Sequence, residues 1–149
     1  MDDGSVWIGT YGAGLLRFRD GRFQRITASD GLAENVVTSF LLDDGGNVWM
    51  GGNQSIHRAP LRERSDFLDG KRTRVNGVAY NEADGIAVPE ATGPPAVHAD
   101  KGRLWLPTIN GAVLVDPRLA VALDSIVPVV RIDDLLTTHD SLGWSPTPL

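Results

Sequence analysis

Cysteine is missing from all 149 residues. That excludes a disulfide scaffold, thiolate metal sites and a cysteine nucleophile, while leaving the compartment open, because many periplasmic proteins also lack it. Positive charge is in short supply: 14 Lys and Arg stand against 19 Asp and Glu, a formal net charge of -5 with a pI near 5.0. A nucleic-acid or anionic-membrane partner needs a basic face, so neither is expected. Long apolar runs are also missing. The longest near-apolar stretch, 111–132, is broken by Asp116, Pro117, Arg118, Asp124 and Pro128, whereas a membrane helix needs about 20 largely uncharged residues. Met1-Asp2-Asp3 is not the basic start of a secretion signal. No helical periodicity of convincing length is seen.

What the chain has instead is a repeat. With 42% hydrophobic residues and 17 Gly, it is rich enough for a core and heavily punctuated by turns. Three segments align without gaps around a tryptophan: DDGSVWIGT at 2–10, DGGNVWMGG at 44–52 and DKGRLWLPT at 100–108. Asp2, Asp44 and Asp100 stand five residues before Trp7, Trp49 and Trp105; Gly4, Gly46 and Gly102 stand three before. Asp followed by Gly is turn chemistry, since the carboxylate accepts nearby amides and Gly tolerates positive φ. The aliphatic residues flanking each Trp mark a strand. A second turn follows at Gly12 and Gly14 and at Asn110-Gly111, more weakly at Asn53-Gln54-Ser55, and leads into LLRFR at 15–19 or AVLVD at 112–116.

In the first copy Asp20-Gly21 is a two-residue hairpin turn, which sets Phe18 opposite Phe23 and Leu15 opposite Ile26. Another marker recurs at 29–32 (Ser-Asp-Gly-Leu) and 83–86 (Ala-Asp-Gly-Ile), each followed by an apolar run, VVTSFLLD at 36–43 or PAVHAD at 95–100. The Trp-to-Trp spacing is 42 residues, then 56. Four short strands in such a unit predict a β-propeller blade. The longer second spacing is assigned to an extra charged loop from Ala59 to Arg74.

These features resemble the two-component regulator propeller repeats of bacterial sensors that carry histidine kinase or diguanylate cyclase outputs. The likeness rests on the D-x-G-x-h-W-h-G-T pattern at Trp7 (h apolar), on SDGLAENVVTSFLLDDGGNVW at 29–49 and on RLWLPTINGAVLVDP at 103–117. The last is similar to the closing blade of such propellers. Pro128 and VVRIDDLL at 129–136 are similar to the opening strand of the immunoglobulin-like Y_Y_Y module that follows them. The expected fold is therefore all-β, a propeller fragment of two to three four-stranded blades over 1–122. A linker and the first strand of the immunoglobulin-like module follow over 123–149. The resemblance implies a periplasmic, ligand-sensing role in signal transduction, with an oligosaccharide or another small molecule as ligand. The alternative is a propeller scaffold for protein–protein interaction. No enzyme activity and no cofactor are expected, and the ligand-binding residues are not assigned. Open blade edges should favour self-association.

Other readings of single residues are weaker. The repeated Trp is read as inter-blade core rather than as a set of sugar-stacking platforms. GAGLLR at 12–17 lacks the third Gly of a dinucleotide fingerprint and leads into a strand. Asp43-Asp44-Gly45-Gly46 does not follow the alternating pattern of a calcium loop. The histidines His57, His98 and His139 fall on separate segments, so no metal triad is expected. Arg58, Arg62, Arg64, Lys71, Arg72 and Arg74, interleaved with Glu63, Asp66 and Asp69, read as a solvated charged loop. Asn53-Gln54-Ser55 is a lone glycosylation sequon, and Trp144 lies outside the repeat.

Overall fold

A computed structural model of the chain describes residues 3–87, 90–91 and 96–124. Three antiparallel sheets follow one another along it. The first holds β1 (Val6–Gly9), β2 (Leu15–Arg19) and β3 (Arg22–Ile26); the second β4 (Ser39–Leu42), β5 (Asn47–Gly51), β6 (Ile56–Pro60) and β7 (Val78–Tyr80). The third holds β8 (Val97–His98), β9 (Leu104–Thr108) and β10 (Gly111–Val115). Trp7, Trp49 and Trp105 occupy β1, β5 and β9, each with the next strand of its sheet as antiparallel partner. The sheets are blades, and the fold is a propeller segment.

The turn residues do what their chemistry requires. Gly4, Gly46 and Gly102 all take positive φ. Asp20 and Gly21 both lie at positive φ, the twist that lets β2 and β3 pair. Phe18 faces Phe23 with ring centroids 4.8 Å apart, and Leu15 faces Ile26. The two Asp-Gly markers are single 3-10 turns of the same construction. The Asp30 carboxylate accepts the Thr27 amide at 2.8 Å and the Asp84 carboxylate accepts the Asn81 amide at 2.9 Å, while Gly31 and Gly85 close the turns left-handed.

Two layers of core lie between the blades. Between the first and second, Leu15 and Ile26 meet Val48, Met50 and Val37, with Trp7 and Phe40 packed against them. Between the second and third, Trp49 and Ile56 meet Ala96, Leu104 and Leu106. Because side chains alternate along a strand, the first and second blades offer their Trp faces to the blade that follows, and the second and third offer the flanking aliphatics to the blade before.

Half of the connection assigned as a charged loop is instead a helix, α1 (Leu61–Leu68). Leu61, Arg64 and Leu68 share one side of it at helical spacing, and Leu61 and Arg64 are buried. The apolar stripe was masked in the sequence because an arginine occupies its middle position. Arg64 donates to the Asn76 carbonyl, and burial, only partly offset by Glu63, lowers its pKa to about 10. A second helix, α2 (Pro117–Asp124), follows β10 at the end of the segment assigned to the propeller. Pro117 suits its first turn, and the Asp116 carboxylate accepts the Arg118 amide at 3.1 Å. The boundary placed at residue 122 thus falls within a helix. Among the described residues no helix is long and apolar enough to cross a membrane. The proposed immunoglobulin-like strand at 129–136, His139 and Trp144 lie outside the described residues.

Candidate functional site

Antiparallel strands place successive connections at alternating ends of a blade, which gives the segment two faces. One face carries the Asp-Gly turns before each Trp strand, together with α1 and residues 69–77. The other carries the turns after each Trp strand (10–14, 52–55 and 109–110) and the described parts of the connections between blades (27–38, 81–87 and 90–91).

On the second face a backbone clasp recurs. The Val37 amide donates to the Thr10 carbonyl at 2.8 Å, and the Ala91 amide donates to the Gly52 carbonyl at 2.7 Å. Thr10 and Gly52 both stand three residues after their Trp. The Thr38 hydroxyl then donates to the carbonyls of Gly51 and Ala91, both at 3.1 Å. Each connection between blades is therefore bonded to the turns on both sides. The close approach explains the Gly two residues after Trp. A Cβ on Gly9 would come within 2.6 Å of the Val37 carbonyl oxygen, and one on Gly51 within 2.4 Å of the Ala91 Cβ. The third copy has Pro107 at this position.

Glu34 completes the middle turn, whose sequence was the weakest match. Its carboxylate accepts the amides of Asn53 at 2.8 Å and Gln54 at 3.0 Å. Ser55 Oγ lies 2.6 Å from His57 Nε2, which in turn lies 3.2 Å from Glu34 Oε1. The three residue types are those of a hydrolytic triad, but the geometry is not: acid and hydroxyl crowd the same ring nitrogen, and Nδ1 has no hydrogen-bond partner. In a triad the acid orients the other nitrogen. His57 is buried, and burial holds its pKa below the usual value, with the Glu34 carboxylate opposing. The cluster holds the turn together. The sequon serine is part of it and is buried.

In the first two copies the clasp fixes what stands four residues after the Trp, and in the third the preceding connection holds that position. Tyr11 is 78% exposed and Ile109 51%, with Asn53 half-buried between them in the series. Tyr11 bridges Val36, and the Ile109 amide donates to the Glu90 carbonyl at 3.1 Å. One non-repeating side chain per blade is thus displayed from a repeating frame. Sequence reasoning assigned no ligand residues; the signal was the variation at a fixed distance from an invariant Trp.

The Trp positions differ among themselves. Trp49 is 1% exposed, stacks on Tyr80 with centroids 5.6 Å apart and donates from Nε1 to Asp43 at 2.9 Å. Burial alone would raise the Asp43 carboxyl, but donation from Trp49, Asn47 and nearby amides holds it below the usual range. The turn role read onto Asp44 belongs to Asp43, whose carboxylate also accepts the Asn47 amide at 2.8 Å. In the third copy the corresponding residue is Ala99, and Trp105 is 41% exposed. A cross-strand arginine also recurs: Arg17 lies over Trp7 at 5.9 Å and Arg58 over Trp49 at 5.8 Å. Leu114 takes that place beside Trp105.

On the opposite face, residues 70–74 and Asn76 line a basin of about 410 Å³ that includes Lys71, Arg72 and Arg74. Arg72 pairs with Glu63, Lys71 with Asp66 and Asp69, and Arg62 with Asp66. Glu63 and Asp66 of α1 and Asp69 just after it answer Arg62, Lys71 and Arg72, so the solvated reading describes these three better than an anion site. Among the described residues no group of three His, Asp or Glu gathers as metal donors; His57 lies in β6 and His98 in β8.

The family model for the two component regulator propeller matches residues 31–54, which run from the turn glycine through the clasp, Trp49 and the Glu34-held turn. The stretch from 31 to 54 is thus similar to a two-component regulator propeller repeat. Solved structures agree on the fold. The extracellular domain of the hybrid two component system BT3049 from B. thetaiotaomicron matches at TM-score 0.64 and 22% identity, over 95% of this chain and 19% of that one. The extracellular domain of BT4673 from the same organism matches at TM-score 0.53 and 18% identity, over 79% of this chain and 16% of that one. This chain thus spans about a fifth of the length of those chains. No curated protein matches.

Proposed function

We propose that this chain is part of an extracytoplasmic sensor propeller that recognises its ligand on the clasped face, through Tyr11, Asn53 and Ile109. The observation that carries the reading is the clasp itself, which repeats in backbone hydrogen bonds while the displayed residues change. A rigid frame with variable tips is how repeat proteins build recognition surfaces. The two-component regulator family and the extracellular domains it resembles support a signalling role outside the cytoplasm. A face that displays an exposed tyrosine, an amide and an aliphatic group suits a neutral oligosaccharide, whose rings stack on aromatics and whose hydroxyls need amide partners. The role is non-catalytic, in keeping with the structural use of Ser55, His57 and Glu34.

Saturation-transfer NMR against a panel of neutral oligosaccharides tests this, since it detects weak contacts (a Kd of about 1 mM is worth only about 4 kcal/mol). Transfer to one sugar class, lost in Tyr11→Ala, is the expected result. No transfer to any sugar, or transfer unchanged in both Tyr11→Ala and Ile109→Ala, overturns the reading in favour of a protein-binding scaffold.

A further inference from the structure

Asn-Gly occurs twice in the sequence, at Asn76-Gly77 and at Asn110-Gly111, and the fold treats the two pairs differently. Asn110 ends the turn after β9, and Gly111 opens β10 opposite Thr108 in the ladder. Asn76-Gly77 lies in the connection between α1 and β7, just ahead of the strand, and both residues are exposed. Neither the Asn76 side chain nor the Gly77 amide is hydrogen-bonded to another described residue.

The carbonyl between them is held by a cation. Arg64, 1% exposed in the middle of α1, donates from Nη1 to the Asn76 carbonyl oxygen. The guanidinium stays charged at neutral pH, since burial lowers its pKa only to about 10. Gly77 is pressed close to the same group. A Cβ there would lie 2.9 Å from the Arg58 carbonyl oxygen and 3.1 Å from Arg64 Nη2, so the position is left with no side chain to shield its nitrogen. Negative charge on a peptide nitrogen is shared with the carbonyl oxygen, because the amide is conjugated. A cation bonded to that oxygen stabilises the anion as it develops. Arg64 thus makes the Gly77 N–H more acidic.

We infer that Asn76 is a site of spontaneous deamidation, in which the Gly77 nitrogen attacks the Asn76 side-chain amide while Arg64 stabilises the charge. Hydroxide removes the Gly77 amide proton, and the nitrogen forms a bond to Asn76 Cγ. The Cγ–Nδ2 bond then breaks, and ammonia leaves with a proton taken from water, which regenerates hydroxide. Water opens the resulting cyclic imide. Opening at Cγ leaves an aspartate; opening at the backbone carbonyl leaves an isoaspartate, with the chain routed through the side chain. No oxidant and no enzyme takes part. Either product adds one negative charge to the formal -5 and places it in the basin lined by Lys71, Arg72 and Arg74.

Trypsin cuts after Arg74, Lys101, Arg103 and Arg118, so peptides 75–101 and 104–118 report the two pairs separately. In the folded chain at mildly alkaline pH, 75–101 should gain the mass of an amide-to-acid exchange, assigned to Asn76 by fragmentation. It should do so about tenfold faster than 104–118, the ratio that one charge-assisted hydrogen bond gained by the anion would give. In guanidinium chloride at the same pH the two rates should converge, because neither pair then has its tertiary surroundings. Arg64→Met keeps an apolar stem in the buried site and should slow Asn76 alone, with the emission of Trp49 reporting that the variant is folded. Should it not fold, the comparison of folded and denatured parent decides. Asn76 that reacts no faster folded than denatured, or a folded Arg64→Met variant with the parent's rate, overturns the proposal. The readout is covalent, so its failure leaves the sugar-binding test untouched.

Discussion

Trp49 shows how one position in the repeat combines packing and hydrogen bonding. Its ring fills the gap between two blades while its only polar atom is satisfied by Asp43. Trp49→Ala should cost about 3–5 kcal/mol, the range for emptying a large aromatic site, as read by urea denaturation. Trp105→Ala should cost clearly less in the monomer, since that ring is 41% exposed. Equal losses at the two sites would contradict the burial difference. Asp43 adds a pH dependence. Its folded pKa is depressed, so the stability it contributes is present above the unfolded value near 3.8 and is lost as pH falls through the folded pKa. His57 acts in the same direction at higher pH. With its pKa also below the usual 6.5, the unfolded chain takes up a proton first, so stability should fall as pH drops below about 6.5 toward the folded value. Chemical denaturation between pH 7 and pH 5 should show this slope, and His57→Gln should flatten it. An unchanged slope in the variant would assign it to another group.

At the scale of elements, the hairpin β2–β3 was legible because Asp20-Gly21 admits few alternatives, and its register came out as the turn chemistry required. Gly21→Val should weaken it by about 1 kcal/mol or more, since a β-branched residue is strained at a φ of 75°; thermal denaturation reads the loss. The blade repeat was equally legible from Trp spacing. The helix α1 was not, because Arg64 stands where the period calls for an apolar residue, and its burial depends on Asn76, twelve residues away. The Glu34 clasp was hidden for the same reason: a carboxylate replaces turn glycines across about twenty residues of sequence. Such substitutions are visible only in three dimensions. Glu34→Ala should strip two amides of their acceptor and open the 52–55 turn. Hydrogen exchange at Asn53 and Gln54 should rise sharply while β5 remains protected, whereas a uniform rise would mean that Glu34 supports the whole blade.

At the scale of the molecule, the blades are not independent units. Each connecting segment bonds to the turns on both sides of it, and α1 ties the first blade to the second, with Gln24 donating to the Leu68 carbonyl at 2.7 Å and Arg17 pairing with Asp69. Stacked repeats owe much of their stability to such neighbour contacts. The second blade, with a neighbour on each side, should therefore be the last to exchange its amides, and the first and third should open earlier.

The long connection between β6 and β7 lies on the face away from the clasp, whereas in the first blade Asp20-Gly21 alone spans the same gap. Length has thus been added to a blade without touching the surface that displays Tyr11, Asn53 and Ile109. Growth and recognition are assigned to opposite sides of the molecule, so either can change while the other stands still. An epitope or a reporter spliced between Lys71 and Arg74, where the side chains are largely open to solvent, would exploit that separation, since exposed loop tips accept insertions most readily.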